Sequence, residues 1–369
     1  MTEPTTDVTD RLRDALHART ATVVPDPRAY ERVVARRTRR RLRAWTGAGT
    51  AVLATAAVIA AVVLVATPKP VTLPPATSPA PAPAHFMAVT DGKAAVYDSD
   101  TPSTGYQGFN PAGDTVTAVT AQGDDFHFWS AAVSPKRCAS QFTALEHEGP
   151  NTTARDLKGG SHVAGKVSAL AVTLDGSRLA YVMTTGATCA TTELHVRDLR
   201  TGADRAWRFR AGATDASLRP SLSWAPDARR LVYLTGCCDV RVLDTTAPGD
   251  DLLAPPARVD EIRDLHPEGP PCEARAAAFR GATGQLVVGV HCVGDAQVDV
   301  VPYDPETGRL GKVLFTVPGD ATRLAFDRSG DHAFAETSPA SVLLRWDRDR
   351  GASVSPVETG KYRVTDPVW

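Results

Sequence analysis

The sequence predicts an all-β fold: a six-bladed β-propeller closed by pairing of its N- and C-terminal strands, preceded by a short helical cytoplasmic tail and one transmembrane helix. Three observations carry this. From His85 onward the chain is a succession of short β-rich runs, broken roughly every ten residues by Gly, Asp and Pro, with no amphipathic helix of useful length. Within those runs a hairpin unit and a returning strand recur at a period of roughly 50 residues. Ahead of them, residues 46–67 (TGAGTAVLATAAVIAAVVLVAT) carry no charge over a length that crosses a bilayer core as one helix.

The apolar run divides the chain. Immediately upstream stand Arg36, Arg37, Arg39, Arg40, Arg41 and Arg43, whereas the downstream flank offers only Lys69 among prolines. The positive-inside bias therefore places residues 1–45 in the cytoplasm and the rest outside, with Trp45 at headgroup depth. The total charge of −1 hides this asymmetry, since residues 1–45 carry a net +5 and residues 46–369 a net −6. An acidic exterior is a poor partner for nucleic acid, because phosphate neutralisation needs a basic face. All six cysteines (Cys138, Cys189, Cys237, Cys238, Cys272 and Cys292) follow the span, which in an exported domain points to disulfides. None has the paired spacing of a structural zinc site.

In chain order, Asp10 to His17 sets Leu12, Ala15 and Leu16 on one face of a short helix, and after Pro25 and Pro27 the stretch 28–43 runs helical toward the membrane. The tail resembles the short arginine-rich tails of many single-span actinobacterial membrane proteins, some of which regulate sigma factors. The stretch 28–43 itself reads as a solvated juxtamembrane stalk or, more sharply, as a small docking peptide for a cytoplasmic partner. The histidine and cysteine pattern of zinc-type anti-sigma domains is absent from the tail. Two export readings compete with a retained anchor: a twin-arginine signal at Thr38 to Leu42, and cleavage near Ala82-Pro83-Ala84. The latter lies far beyond the apolar run, and an uncleaved signal anchor fits best. Residues 68–84 (PKPVTLPPATSPAPAPA) cannot bury a core and favour polyproline II. At roughly 3.1 Å per residue this linker spans about 50 Å, enough to hold the following domain, residues 85–369, clear of the lipid.

The hairpin unit appears as VSALAVTLDGSRLAYV (Val167 to Val182), PSLSWAPDARRLVYL (Pro220 to Leu234), ARAAAFRGATGQLVVGV (Ala274 to Val290) and TRLAFDRSGDHAFAE (Thr322 to Glu336). In each, Asp caps the turn backbone or Gly supplies positive φ. The returning strand follows as LHVRDLRTG, VRVLDTTAPG, VDVVPYDPETG and LLRWDRDRG, and AAVYDSDTP at Ala94 is the same unit. Its copies end at Asp98, about Glu146, Asp198, Asp244, Asp304 and Asp347, which makes six. YRVTDPVW (Tyr362 to Trp369) is then a first strand with nothing after it, and the strands at His85 to Asp98 complete its blade.

Pro220-Ser-Leu-Ser-Trp224-Ala-Pro226-Asp227, with Leu231-Val-Tyr233 after the turn, resembles the WD-like repeat of TolB-type propellers. Leu174-Asp175-Gly176-Ser-Arg-Leu-Ala-Tyr181 is a second copy. The resemblance covers about His85 to Trp369 and implies a scaffold for protein or ligand contacts. The sequence departs from it at Ala228, where Gly is usual, at the Arg280-Gly281 turn, which lacks Asp, and in having no α/β domain ahead of the propeller.

The cysteines recur after the second strand of successive blades, except Cys272, which precedes a first strand. Loops at those places share one face, so disulfides there are expected to staple neighbouring blades. The loop positions favour Cys138 with Cys189 and Cys272 with Cys292, leaving Cys237 and Cys238 as a vicinal pair or as exchange partners of Cys272. No G-x-S-x-G occurs, and no catalytic, metal or cofactor residues can be assigned. Six-bladed lactonases hold calcium in the channel with Glu, Asn and Asp; here the only asparagines are Asn110 and Asn151. His127, His162, His195 and His291 are scattered and read as packed or surface groups. Arg219, Arg275, Arg323 and Arg363, near the starts of first strands, are the candidates for an anionic ligand at a channel mouth. Two functions follow: an anchored extracytoplasmic binding or scaffolding module, with an extracytoplasmic protein or small ligand and a sensory tail, or an extracytoplasmic propeller enzyme, lactonase-like or glycan-active, using channel metal.

Overall fold

Each hairpin unit forms two adjacent antiparallel strands, and each returning strand adds a third. The computed structural model describes residues 80–102, 107–109, 113–124, 126–134, 136–148, 151–157, 160–186, 191–208, 218–235, 239–252, 272–338, 342–359 and 364–369. The chain divides into two units, Met1–Pro75 and Ala76–Trp369, and every described residue lies in the second. The tail, the apolar span and most of the linker thus lie outside the described residues. Among the described residues no helix is long and apolar enough to cross a membrane.

Six sheets follow one another along the chain. Strands β1 (His85–Thr90), β2 (Lys93–Asp98) and β3 (Gln107–Phe109) belong to blade 1. Blade 2 holds β4 (Thr115–Ala121), β5 (His127–Val133), β6 (Ser140–Glu148) and β7 (Asn151–Arg155), with β8 (His162–Val163) also on β6. Blade 3 holds β9 (Lys166–Val172), β10 (Arg178–Thr185), β11 (Thr191–Asp198) and β12 (Asp204–Arg208). Blade 4 contributes β13 (Leu218–Trp224), β14 (Arg230–Thr235) and β15 (Asp239–Asp244) among the described residues. Blade 5 contains β16 (Cys272–Arg280), β17 (Gln285–Cys292), β18 (Gln297–Asp304) and β19 (Arg309–Leu310), with β20 (Phe315–Pro318) also on β18. Blade 6 contains β21 (Asp320–Phe326), β22 (His332–Ser338), β23 (Leu343–Asp347) and β24 (Val354–Pro356). Finally β25 (Val364–Val368) pairs antiparallel with β1, giving the order β25-β1-β2-β3. The closure expected from YRVTDPVW is therefore present, and the blade count is six.

The first strands β25, β4, β9, β13, β16 and β21 touch one another in a closed ring, so they are innermost. Six apolar clusters fill the seams, one between each pair of neighbours. At the closing seam Phe86, Tyr97, Phe334 and Trp369 are buried together. Fully burying an aromatic side chain of this kind stabilises by about 1.5–3 kcal/mol. No blade has a core of its own, which is why the repeats must close.

The recurrent aspartates have a local cause. Asp98 Oδ1 accepts the N–H groups of Asp100 and Thr101, and Asp198 Oδ1 those of Arg200 and Thr201. Asp244 and Asp304 repeat the contact with Thr246 and Glu306. These turn donors hold the Asp98 and Asp198 carboxyls below the usual carboxylate range. At the hairpin turns Gly176 and Gly330 have φ of 66° and 75°, and Ala228, in the place of a glycine, is forced to 51°.

The Cys272–Cys292 disulfide is formed, and its position corrects one expectation. Cys272 and Cys292 are paired residues of β16 and β17, so the bond joins two strands of blade 5 instead of two blades. Cys138 is disulfide-bonded too. Cys189, expected as its partner, and Cys237 and Cys238 lie outside the described residues. Replacing Cys272 and Cys292 together by alanine is expected to cost about 3 kcal/mol, for a loop of 20 residues, as read by denaturant unfolding. An unchanged midpoint would mean that the bond adds nothing to a hairpin already closed by its ladder.

Candidate functional site

All six inner strands are irregular at their pairing with the second strand, and in every blade the surplus residue falls on the inner one. Thr117, Ser168, Arg275 and Thr322 are such residues. A bulge bends the strand and frees a side chain from the in-out alternation. Polar groups within and beyond the bulges of these strands reach neighbouring blades. Thr117 Oγ1 donates to the Val167 carbonyl at 2.7 Å, and Thr120 Oγ1 accepts the Val172 N–H at 3.2 Å, both from blade 2 to blade 3. Between blades 4 and 5, Ser221 Oγ donates to the Ala277 carbonyl and Ser223 Oγ accepts the Phe279 N–H, each at 3.0 Å. Trp224 Nε1 donates to the Ala171 carbonyl at 3.1 Å, tying blade 4 to blade 3.

These strands enclose a central channel with a cavity of about 100 Å³. Thr120, Leu170, Leu222, Ala278, Arg323 and Val368 each line it from a different blade. Leu174, Gly281 and Asp327 line it from the hairpin turns, which places the cavity toward the turn-bearing face, at the opposite end of the strands from Cys272. The blade 6 turn packs closely over blade 5 here. A Cβ on Gly281 would meet the Asp327 and Arg328 carbonyl oxygens at 2.6 and 2.5 Å, so only glycine fits.

Among the described residues, Arg323 on the channel wall belongs to a buried charge cluster. Arg323 Nη2 lies 2.5 Å from Asp366 Oδ1, a buried ion pair. Asp366 Oδ2 accepts the Val119 N–H at 2.8 Å, and its own N–H donates to Glu336 Oε2 at 3.0 Å. One aspartate thus links blades 6, 1 and 2 at the closing seam. Asp366 is 4% exposed and has φ of 56°, a left-handed conformation that aspartate tolerates better than most residues. Burial pushes its carboxyl up to about 6, a rise opposed by Arg323 and the Val119 N–H and aided by Glu336.

Of the four arginines expected at a channel mouth, Arg323 lines the channel and is taken up by Asp366. Arg275 turns to Glu273 at 3.0 Å and to Asp320 of blade 6 at 3.6 Å. The side chain of Arg219 and the whole of Arg363 lie outside the described residues. None of the four histidines singled out lines the channel cavity. His195 is buried in blade 3, with Nε2 3.0 Å from Glu193 and Nδ1 3.3 Å from Asp204. Burial opposes its charge, but the two carboxylates outweigh this and raise its pKa. His127 pairs with Asp124, His162 is exposed, and His291 Nε2 meets the Asp295 carbonyl. Among the described residues no three His, Cys, Asp or Glu side chains converge to hold a metal ion.

No family model matches the sequence, and no curated protein matches it. Solved structures do resemble the fold. TolB from Acinetobacter baumannii aligns at 15% identity and a TM-score of 0.50, over 77% of this chain and 65% of that one. This chain therefore spans less than two thirds of TolB's length. A chain of the nidogen/laminin complex aligns at 13% identity and 0.49, over 77% and 97%. The Cps50 (Swd1) propeller domain of Myceliophteria thermophila aligns at 14% and 0.44, over 72% and 80%. At such identities the TolB likeness speaks for the fold alone, and it agrees with the WD-like, TolB-type repeat read from Trp224 and its neighbours.

Proposed function

We propose that the chain is a membrane-anchored extracytoplasmic binding or scaffolding module. Residues 46–67 hold it, the linker at 68–84 spaces it from the lipid, and the turn-bearing face of the propeller meets a protein partner. The arginine-rich tail is then free to contact a cytoplasmic partner and to report occupancy. One observation supports binding over chemistry. The charged side chains lining the channel among the described residues, Arg323 and Asp327, are both committed to structure. Arg323 pairs with Asp366, while Asp327 accepts the Ser329 hydroxyl and the His332 N–H. On the same face Phe126, in the first hairpin turn of blade 2, is 52% exposed.

A photo-crosslinking residue in place of Phe126, in the full chain in its own cells, is expected to give a discrete adduct. The same residue at Val313, exposed between β19 and β20, is expected to give none. Equal labelling at both positions, or at neither, would sink the reading. Protease added to intact cells is expected to remove the propeller and spare an epitope on the tail; the reverse pattern would overturn the orientation.

A further inference from the structure

Away from the channel, a groove of about 370 Å³ lies at the seam of blades 6 and 1, between the segment after β2 and strands β23 and β24. Two guanidinium groups line it. Arg345 is fixed on three sides: Nε donates to Asp347 Oδ1 at 2.8 Å, Nη1 to the Ser99 carbonyl at 3.3 Å, and the guanidinium carbon sits 5.6 Å from the Trp369 ring centre. Arg350 leans on the other oxygen of the same carboxylate, with Nε 3.4 Å from Asp347 Oδ2. The same carboxylate also meets His332 Nδ1 at 2.7 Å, so it is shared among three groups and cannot neutralise both guanidinium cations. Ser99 also lines the groove; it is 8% exposed, and its Oγ is turned away from solvent with no hydrogen-bond partner, so a rotation about χ1 is what presents it to a ligand. A buried hydroxyl left in that state is a standing cost, removed when an acceptor arrives.

The rim limits what that acceptor can be. Asp100 and Glu358 are exposed groove residues, so a simple anion meets two carboxylates on its way in. A molecule with a carboxylate for the arginines and an ammonium group for the rim meets favourable charge at both ends. The cavity volume suits a small organic ligand. We propose that this groove binds zwitterions of the amino-acid or short-peptide type. The carboxylate is held by Arg345, Arg350 and the Ser99 hydroxyl, and the ammonium faces Asp100 and Glu358.

Titration of the full chain with diglycine is expected to show saturable binding in the millimolar range. Ser99→Ala removes only a hydroxyl without a partner, so its circular dichroism and melting should stay native while diglycine binding weakens about tenfold. Arg350→Gln, on an exposed side chain, is expected to weaken it by at least as much, and Glu358→Gln to weaken diglycine while strengthening acetate. Acetate or inorganic phosphate binding the unaltered chain as tightly as diglycine would overturn the zwitterion assignment. So would the absence of saturable diglycine binding, or a folded Ser99→Ala chain with unchanged affinity. None of these outcomes bears on the crosslinking at Phe126, so the two readings stand or fall separately.

Discussion

A chain lacking residues 362–369 is expected to lose cooperative unfolding. The deletion removes the inner strand β25 from the closing sheet and leaves β1 as an open edge. It also takes away Trp369, which stacks on Phe334 with ring centres 4.1 Å apart and planes 11° from parallel. Phe86, otherwise fully buried, loses that cover. The milder Trp369→Ala alone is expected to cost about 3–5 kcal/mol. Near-ultraviolet circular dichroism and denaturant unfolding read both outcomes. A deletion variant that still melts in one sharp transition, at the temperature of the complete chain, would show that ring closure is not what holds the blades together.

Asp366→Ala is expected to destabilise by about 3–5 kcal/mol at neutral pH, because it strands the buried Arg323 cation and the Val119 N–H. It also leaves alanine in a left-handed conformation. The pair as a whole is not a net source of stability. Burial has moved the Asp366 carboxyl from 3.8 to about 6, so the native state binds this proton more tightly than the unfolded chain does. Its favourable contribution is complete below about pH 4 and lost as pH rises through about 6, a difference of about 3 kcal/mol. The double variant Arg323→Met/Asp366→Asn, which keeps an acceptor for Val119, is expected to recover most of the loss and to flatten this part of the stability profile. Urea unfolding between pH 4 and 7 separates these cases. A double variant as unstable as Asp366→Ala would show that the site needs charge and not merely occupancy.

The architecture was legible because hairpin turns and strand-ending aspartates are local devices. Asp98, Asp198, Asp244 and Asp304 cap their own turns within three residues, so the pattern survives in sequence even where strand residues drift. Ring closure was legible for a different reason: Tyr362 to Trp369 had strand character and no hairpin partner after it. The inner stitching was not. Thr117, Thr120, Ser221 and Ser223 act on residues about 50 positions further on, across seams whose register depends on bulges. Their one sequence signal is the placement of small hydroxyls inside otherwise apolar strands. Asp366 likewise carries no signal of its own within the strand-like run Tyr362 to Trp369, and its pairing with Arg323 needs blade 1 brought beside blade 6. The pairing of Cys272 with Cys292 was readable from their places in the repeat. That the bond stays within a blade was not, because the choice depends on residue-by-residue alignment of β16 with β17.

The end of the linker is held as well. The Ala80 N–H donates to Asp331 Oδ2 at 3.3 Å, and the Ala80 carbonyl accepts from His332 Nε2 at 2.8 Å. Beyond it, β1 lies between β2 and β25, paired along both edges. Tension arriving from residues ahead of Ala80 first breaks these two bonds on blade 6, a small and recoverable slip. It then loads a strand that cannot be peeled from a free edge, since two ladders must yield together. If the chain is anchored ahead of Ala80 as proposed, these two bonds are a weak spring in series with a strong clasp, and the propeller bears a pull before it opens.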